Sequence, residues 1–345
     1  MGEGELSPIS VFRNFCKKCI LCYTILIMVL IQIEGKTMKK LSIVVPCYNE
    51  QETIYPFLEE TQKVEQKLKN HLVFDYIFVN DGSKDETLNV LRDVASRFPN
   101  VHYLSFSRNF GKEAGLLAGL EAADGDLITV MDVDLQDPPE LLINMYQKIL
   151  EGYDVVGTRR ADRKGEPVIR SFFSKMFYKI INAVSNTEMV AGARDFRLMT
   201  RQVVDSILEL GEVNRFSKGI FSWVGYDVTY IAYENRERVA GETSWSFWSL
   251  LKYSMEGFIN FSEMPLNLSL WAGAVSFLIS ILGVLFIIVR KLTIGGSVTG
   301  WASLVCIILF IGGIQLLALG IIGKYISKIF LETKKRPVYI VKEKG

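Results

Sequence analysis

The sequence predicts an α/β fold on a mostly parallel sheet, followed by membrane helices. Three observations predict it. Short apolar runs alternate with segments of helical period through the first half of the chain. Each run ends in acids, amides or glycines, and two long uncharged runs lie near the C-terminus. Strand–helix alternation is the pattern of a doubly wound sheet.

Residues 41–46 (LSIVVP) form the first predicted strand, ending at Cys47-Tyr48-Asn49-Glu50. Residues 74–79 form the second, ending at Asn80-Asp81-Gly82-Ser83, and 101–106 the third, ending at Ser107-Arg108-Asn109-Phe110-Gly111-Lys112. Segments 54–68 and 87–98 between them have helical period. Residues 127–131 form the fourth strand, before Asp132-Val133-Asp134-Leu135-Gln136-Asp137-Pro138-Pro139-Glu140. Polar groups therefore converge on the sheet edge where open α/β folds bind ligands.

The last of these motifs carries the most information. In extended chain, Asp132 and Asp134 share a face. Two hard oxygen ligands there suit Mg²⁺ or Mn²⁺, which takes its other ligands from water and phosphates. The alternative is that both acids merely end a strand and cap the next helix. Asp137 is read as that cap, with Pro138 at the first helical position.

Composition sets further bounds. The chain has 345 residues, is 49% hydrophobic and has a mean hydropathy of +0.22. It is too apolar for an ordinary soluble domain and too charged for a pure membrane bundle. A net charge of +1 argues against a nucleic-acid partner. Five scattered cysteines imply a reducing compartment without a disulfide framework. Cys16, Cys19 and Cys22 lack the second ligand pair of a zinc site.

Residues 266–289 and 301–322 carry no charge, and each is long enough to cross a hydrocarbon core of about 30 Å. Lys324, Lys328, Lys334, Lys335 and Arg336 follow the second run, against Arg290 and Lys291 in the loop. The balance puts the 323–345 tail in the cytoplasm. Two crossings return the chain to its starting side, so the catalytic domain is expected there too, in a multi-pass protein of the cell membrane. Residues 1–37 hold an apolar run, 19–33, preceded by Arg13, Lys17 and Lys18. They are read as an upstream extension or an accessory apolar segment.

The four edge motifs, in this order and spacing, resemble those of the family 2 inverting glycosyltransferases. Within these, the chain is most similar to polyprenyl-phosphate sugar transferases of the bactoprenol glucosyltransferase type, and more distantly to dolichyl-phosphate mannose synthases. The resemblance covers about residues 38–340. It implies a GT-A catalytic domain over 38–245, an interfacial amphipathic helix over 246–265 and the membrane helices over 266–322. It implies that Pro46, Tyr48, Glu50, Asp81, Lys112 and Asp132 bind the donor nucleotide, and that Asp132, Asp134 and Gln136 hold a divalent metal, Mg²⁺ or Mn²⁺. Asp195 and Asp134 are the implied catalytic acids, and Arg238 neutralises the donor diphosphate. The partners implied are a nucleotide diphospho-sugar, with UDP-glucose favoured, a polyprenyl phosphate lipid, and further copies of the chain in a homo-oligomer, up to a tetramer.

On the acceptor side, Arg159, Arg160, Arg163, Lys164 and Arg170 follow a fifth strand. Such a run is usually a solvated face. The resemblance instead weights Arg159 and Arg170 towards the acceptor phosphate, a role arginine's planar fork suits, and adds Arg197. Asp195 is read as a base, or as a group that holds a sugar hydroxyl or orients Arg197. Ser244 stands where the family commonly has lysine, after Arg238, Gly241 and Thr243. Phe216, Phe221, Trp223 and Tyr226 open an aromatic cluster that continues through 245–261 and suggests helices in the membrane interface.

Rival readings fit less well. A processive polysaccharide synthase would carry a Gln-x-x-Arg-Trp motif and more spans. A non-catalytic nucleotide binder would not need both acids and the arginines. A dinucleotide oxidoreductase would show G-x-G-x-x-G after the first strand.

Overall fold

The computed structural model describes residues 38–160, 176, 179, 182, 190, 192–233, 264–293 and 300–345. The 1–37 extension, the 246–263 part of the expected interfacial helix, Arg163, Lys164, Arg170 and Arg238 lie outside the described residues.

The elements are β1 (Lys39–Cys47), α1 (Ile54–Leu68), β2 (Leu72–Asn80), α2 (Thr87–Arg97), β3 (Val101–Phe106), α3 (Lys112–Ala122), β4 (Leu127–Val130) and α4 (Leu141–Leu150). They continue as β5 (Val155–Arg160), β6 (Ala193–Thr200), α5 (Arg201–Glu209), α6 (Ser217–Trp223), β7 (Val228–Tyr233), α7 (Met264–Thr293), α8 (Trp301–Thr333) and β8 (Val341–Lys344). The strands form one sheet in the order β7-β5-β6-β4-β1-β2-β3-β8.

β3, β2, β1 and β4 are parallel neighbours and form the predicted doubly wound centre. The alternation of β1 divides the core. Leu41, Ile43, Val45 and Cys47 pack with α1, α2 and α4, whereas Val44 packs with α3, α5 and α6. On the second face the helix lies very close, because a Cβ on Gly119 of α3 would stand 2.1 Å from Val44 Cγ1. On the first face Phe57 of α1 meets Phe78 of β2 edge-on, with ring centroids 6.0 Å apart.

β6 runs antiparallel to β4, pairing Arg197 with Val130. Its first residues therefore project past the C-terminal end of β4. β5 is antiparallel to β6 and brings Arg159 opposite Ala193, and β7 is parallel to β5. Among the described residues, this order directs the polar motifs after β1, β2, β3 and β4, the end of β5 and the start of β6 to the same edge of the sheet.

α7 and α8 pack against each other. Both are long and apolar enough to cross a membrane, over Met264–Arg290 and Phe310–Thr333, and neither window is buried within the protein. The second helix runs 11 residues past the expected end at 322. The expected basic tail is not a free tail: after that helix, Val341–Lys344 pairs antiparallel with β3 as the eighth strand. Arg92 binds Glu343 through Nε at 2.7 Å and Nη2 at 2.6 Å, and the Tyr103 hydroxyl donates to Glu343 at 2.7 Å. A sheet cannot straddle a bilayer, so a crossing hairpin must return the chain to the side it left.

Of the aromatic cluster, Phe216 and Phe221 are core residues, 3% and 5% exposed, while Trp223 is exposed.

Candidate functional site

The site grows from the loops at the C-terminal ends of β1, β2, β3 and β4. Asn49, with φ of 57°, accepts from the Lys84 amide at 2.9 Å, and its own amide donates to Ser83 Oγ at 2.9 Å. Asn80 accepts from the Ser83 amide at 3.1 Å and donates to Ser105 Oγ at 3.0 Å. These short polar side chains thus stitch neighbouring loops together. Glu50 Oε2 accepts from Thr53 Oγ1 at 2.9 Å. Pro46 is half-buried near the end of β1, and Tyr48 presents an exposed ring on the edge.

Asp81 is buried and clamps the next loop. Its two oxygens accept from the amides of Phe110, at 2.6 Å, and Gly111, at 2.9 Å. Burial pushes this carboxyl above its ordinary value, although both amides oppose the shift. A carboxylate has about four acceptor positions, so Asp81 keeps capacity for a further donor. Gly82, at φ +63°, lies so close that a Cβ would stand 2.3 Å from the Arg108 carbonyl carbon.

The clamped loop delivers Lys112, first residue of α3, into the centre of the edge. Its ammonium donates to Asp132 Oδ1 at 2.8 Å and to Asp195 Oδ2 at 2.6 Å. Burial alone would lower this lysine, but the two carboxylates outweigh it and hold it above its ordinary value. Burial alone would raise Asp195. Lys112, Lys218 and Arg197 outweigh that and hold Asp195 well below the usual carboxylate range. It is therefore an anion at neutral pH and a weak proton acceptor.

The acidic motif departs from expectation in its backbone. β4 ends at Val130 and the chain turns at Val133–Asp134, so neither Asp132 nor Asp134 lies on a strand. Val133 and Leu135 anchor that turn in the core, and Leu135 sits at φ 56°, a region non-glycine residues seldom adopt. Asp134 is 7% exposed, and its Oδ1 accepts from the Gln136 amide at 3.1 Å.

Asp137 is corrected from helix cap to buried anchor. The following helix begins only at Leu141, after Glu140. Asp137 instead accepts from Arg194 Nε at 3.2 Å and from the Tyr233 hydroxyl. Arg194 Nη2 also donates to Gln136 Oε1 at 3.1 Å. The acidic loop is thereby fixed to β6 and β7. Burial drives the Asp137 carboxyl up and the Tyr233 phenol up to about 12.

Arg197 is placed differently from its expected acceptor role. Its side chain is buried, its guanidinium lies 3.7 Å over the Phe221 ring, and it donates to the main-chain oxygens of Asp195 and Arg194. It braces the start of β6. Arg159 stands exposed at the same edge on β5.

Arg194, Tyr233, Glu113 and Ser217 were not singled out from the sequence. A cation directly preceding Asp195 was a signal for Arg194, but nothing local marked the other three. Ser217 donates through its amide to Glu113 Oε2 at 3.0 Å, and through its hydroxyl to the same oxygen.

Among the described residues, no group of three or more His, Cys, Asp or Glu residues could hold a metal ion. The oxygens of Asp132, Asp134 and Gln136 nonetheless have the hard chemistry that Mg²⁺ or Mn²⁺ accepts when phosphates and water supply the rest.

A doubly wound sheet with acids, an ion-paired lysine and loop amides gathered at its carboxyl edge defines a GT-A-like α/β transferase domain. Residues 42–208 match the model of Glycosyl transferase family 2. CsbB of Bacillus subtilis (strain 168), designated a glycosyltransferase, is 45% identical over 304 residues, 88% of this chain and 91% of that protein. The prophage bactoprenol glucosyl transferase homolog of Escherichia coli (strain K12) is 41% identical over 303 residues, 88% of this chain and 98% of that protein. The bactoprenol glucosyl transferase of Shigella phage SfV is 42% identical over 303 residues, with the same shares. The chain belongs to glycosyltransferase family 2 and is a glycosyltransferase, as its edge motifs led us to expect.

Proposed function

We propose that this enzyme moves a hexose, glucose from UDP-glucose, onto polyprenyl phosphate with inversion, at the cytoplasmic face of a membrane. The observation that carries the reading is the Lys112 bridge between Asp132 and Asp195, which joins the donor motifs on β1–β4 to the start of β6. The names of the relatives and the two exposed apolar helices favour the lipid acceptor.

Tyr48, Glu50 and Asp81 hold the nucleoside. Asp132, Asp134 and Gln136 would hold the divalent ion, which supplies charge neutralisation on the donor diphosphate. Lys112 sits beside that diphosphate and keeps Asp132 and Asp195 from repelling each other. The acceptor phosphate, met by Arg159 and Arg170, attacks the anomeric carbon from the face opposite the nucleotide. The new C–O bond forms as the bond to the nucleoside diphosphate breaks, and Arg238 takes up charge on the leaving group. A phosphate monoester has its second pKa near 6, so its oxygen is already anionic at neutral pH and needs no strong base. That suits Asp195, which is better placed to hold a sugar hydroxyl than to take a proton.

The test is incubation of the purified protein with undecaprenyl phosphate, Mg²⁺ and a panel of nucleotide sugars, followed by mass spectrometry of the lipids. A glucosyl phospholipid from UDP-glucose is expected. Another single product would revise the sugar, and no product from any donor, in detergent and in lipid, would refute the reading.

A further inference from the structure

α8 does more than cross a membrane. At about 1.5 Å per residue, its 33 residues reach roughly 50 Å, well beyond a hydrocarbon core of about 30 Å. Its uncharged stretch, 301–322, is by itself long enough for a crossing, which leaves the charged C-terminal turns over, and there Lys324, Lys328 and Glu332 recur at a spacing of four and share one face. That face meets the loop between α5 and α6. Both Glu332 oxygens accept from the Val213 amide at 3.0 Å, and Oε1 also takes the Asn214 amide at 3.0 Å and Asn214 Nδ2 at 3.1 Å. Lys328 Nζ donates to Asn214 Oδ1 at 2.9 Å.

From this latch a short path leads into the site. Arg215, next in sequence, donates to the main-chain oxygens of Leu210 and Ile207 at the end of α5. Ser217 binds Glu113, the residue after Lys112. Lys218 contributes to keeping Asp195 ionised, and Phe221 lies beneath Arg197. The segment 213–221 thus connects the membrane helix to Lys112, through the neighbouring Glu113, and to Asp195.

We propose that Glu332 is a positioning residue for sugar transfer: the end of α8, through the 213–217 loop, sets the place of α6 and with it the wall around Lys112 and Asp195. This rests on the reading that the Lys112–Asp132–Asp195 centre is the transfer site. The bonds that Asp81 accepts come from the Phe110 and Gly111 amides and not from the latch, so nucleotide binding is expected to be insensitive to it.

The experiment uses the full-length protein in nanodiscs, as wild type, Glu332→Ala and Glu332→Gln, with Asn214→Ala as a second route to the same contact. Turnover per folded molecule, UDP affinity and hydrogen exchange over 211–223 are read on the same samples. Glu332→Ala removes a charged acceptor from three backbone and side-chain donors, and about a tenfold fall in kcat is expected, with UDP affinity within about twofold and faster exchange over 211–223. Glu332→Gln keeps an acceptor oxygen for the two amides and should recover most of the turnover. Unchanged kcat in Glu332→Ala, an equal loss of UDP affinity, or a glutamine variant as poor as alanine would each overturn the proposal. If the wild type transfers no sugar at all, the transfer reading itself fails, whereas unaltered exchange over 211–223 in Glu332→Ala would by itself refute the latch.

Discussion

Gly82→Ala tests whether the Asp81 clamp holds the site together. The new Cβ would lie 2.3 Å from the Arg108 carbonyl carbon, 2.6 Å from the Asn109 nitrogen and 2.7 Å from the Arg108 oxygen, all main-chain atoms. Ordinary contact begins at 3.4 Å, so the loop must retreat by about 1 Å. A left-handed alanine costs about 1 kcal/mol. The retreat also stretches two hydrogen bonds from Phe110 and Gly111 to a buried carboxylate, each worth about 1.5 kcal/mol or more because the acceptor is charged. Together that is about 4 kcal/mol, or a fall in Tm on the order of 10 °C for a domain of this size. Gly111→Ala is the control: its φ is +98° but nothing lies within 4 Å of the new Cβ. With ψ at 160° it should lose only the conformational part, about 2 kcal/mol. The assay is thermal unfolding in detergent beside turnover with a lipid acceptor. Gly82→Ala should lose turnover with the clamp, since Lys112 follows the displaced loop. Equal Tm losses in the two variants, or a Gly82→Ala Tm within about 2 °C of wild type, would refute the steric argument.

Other perturbations have defined outcomes. Lys112→Met leaves Asp132 and Asp195 facing each other without the ammonium between them and should reduce kcat by about 100-fold or more; single-turnover measurements with bound donor would detect it. Removing divalent metal with EDTA should abolish transfer, with Mg²⁺ or Mn²⁺ restoring it, and Asp134→Ala should be inactive yet folded; near-normal turnover in that variant would contradict the metal assignment. Glu113 is raised above its ordinary 4.5 by burial and by the charge of Asp195, against the opposing effects of Ser217 and Lys112. The folded state therefore binds that proton more tightly than the unfolded chain. Its contribution is full below about pH 4.5 and is lost as pH rises through the folded value, so Glu113→Gln should flatten the fall in Tm over that window.

Much of this architecture was legible because it rests on local patterns. The four parallel strands are apolar runs punctuated by turn residues, and topology alone carries their ends to one edge. What escaped the sequence depends on distant partners. Asp137 reads as a helix cap beside Pro138, yet Arg194 and Tyr233, 57 and 96 residues away in sequence, draw it into the interior. Asp132 and Asp134 looked like strand residues, but Val133 and Leu135 are taken by the core and bend the chain into a turn. Arg197 looked like a phosphate ligand because its residue type suits one; the Phe221 ring that covers it is invisible without the fold. β8 (VKEK) has a single apolar residue and pairs through its backbone with β3, leaving little side-chain signal to read.

The position of that eighth strand has a consequence for biosynthesis. β8 follows the apolar hairpin in the chain, so a ribosome makes it after both long helices. Until then β3 presents an open row of unpaired amide and carbonyl groups, the kind of border that recruits other chains. The catalytic sheet can close its edge only after the hairpin has been made and the chain has come back to the starting side. Should the hairpin cross a bilayer and stop halfway, the last strand is left on the far side from β3, and the molecule keeps an unfinished border open to aggregation or proteolysis.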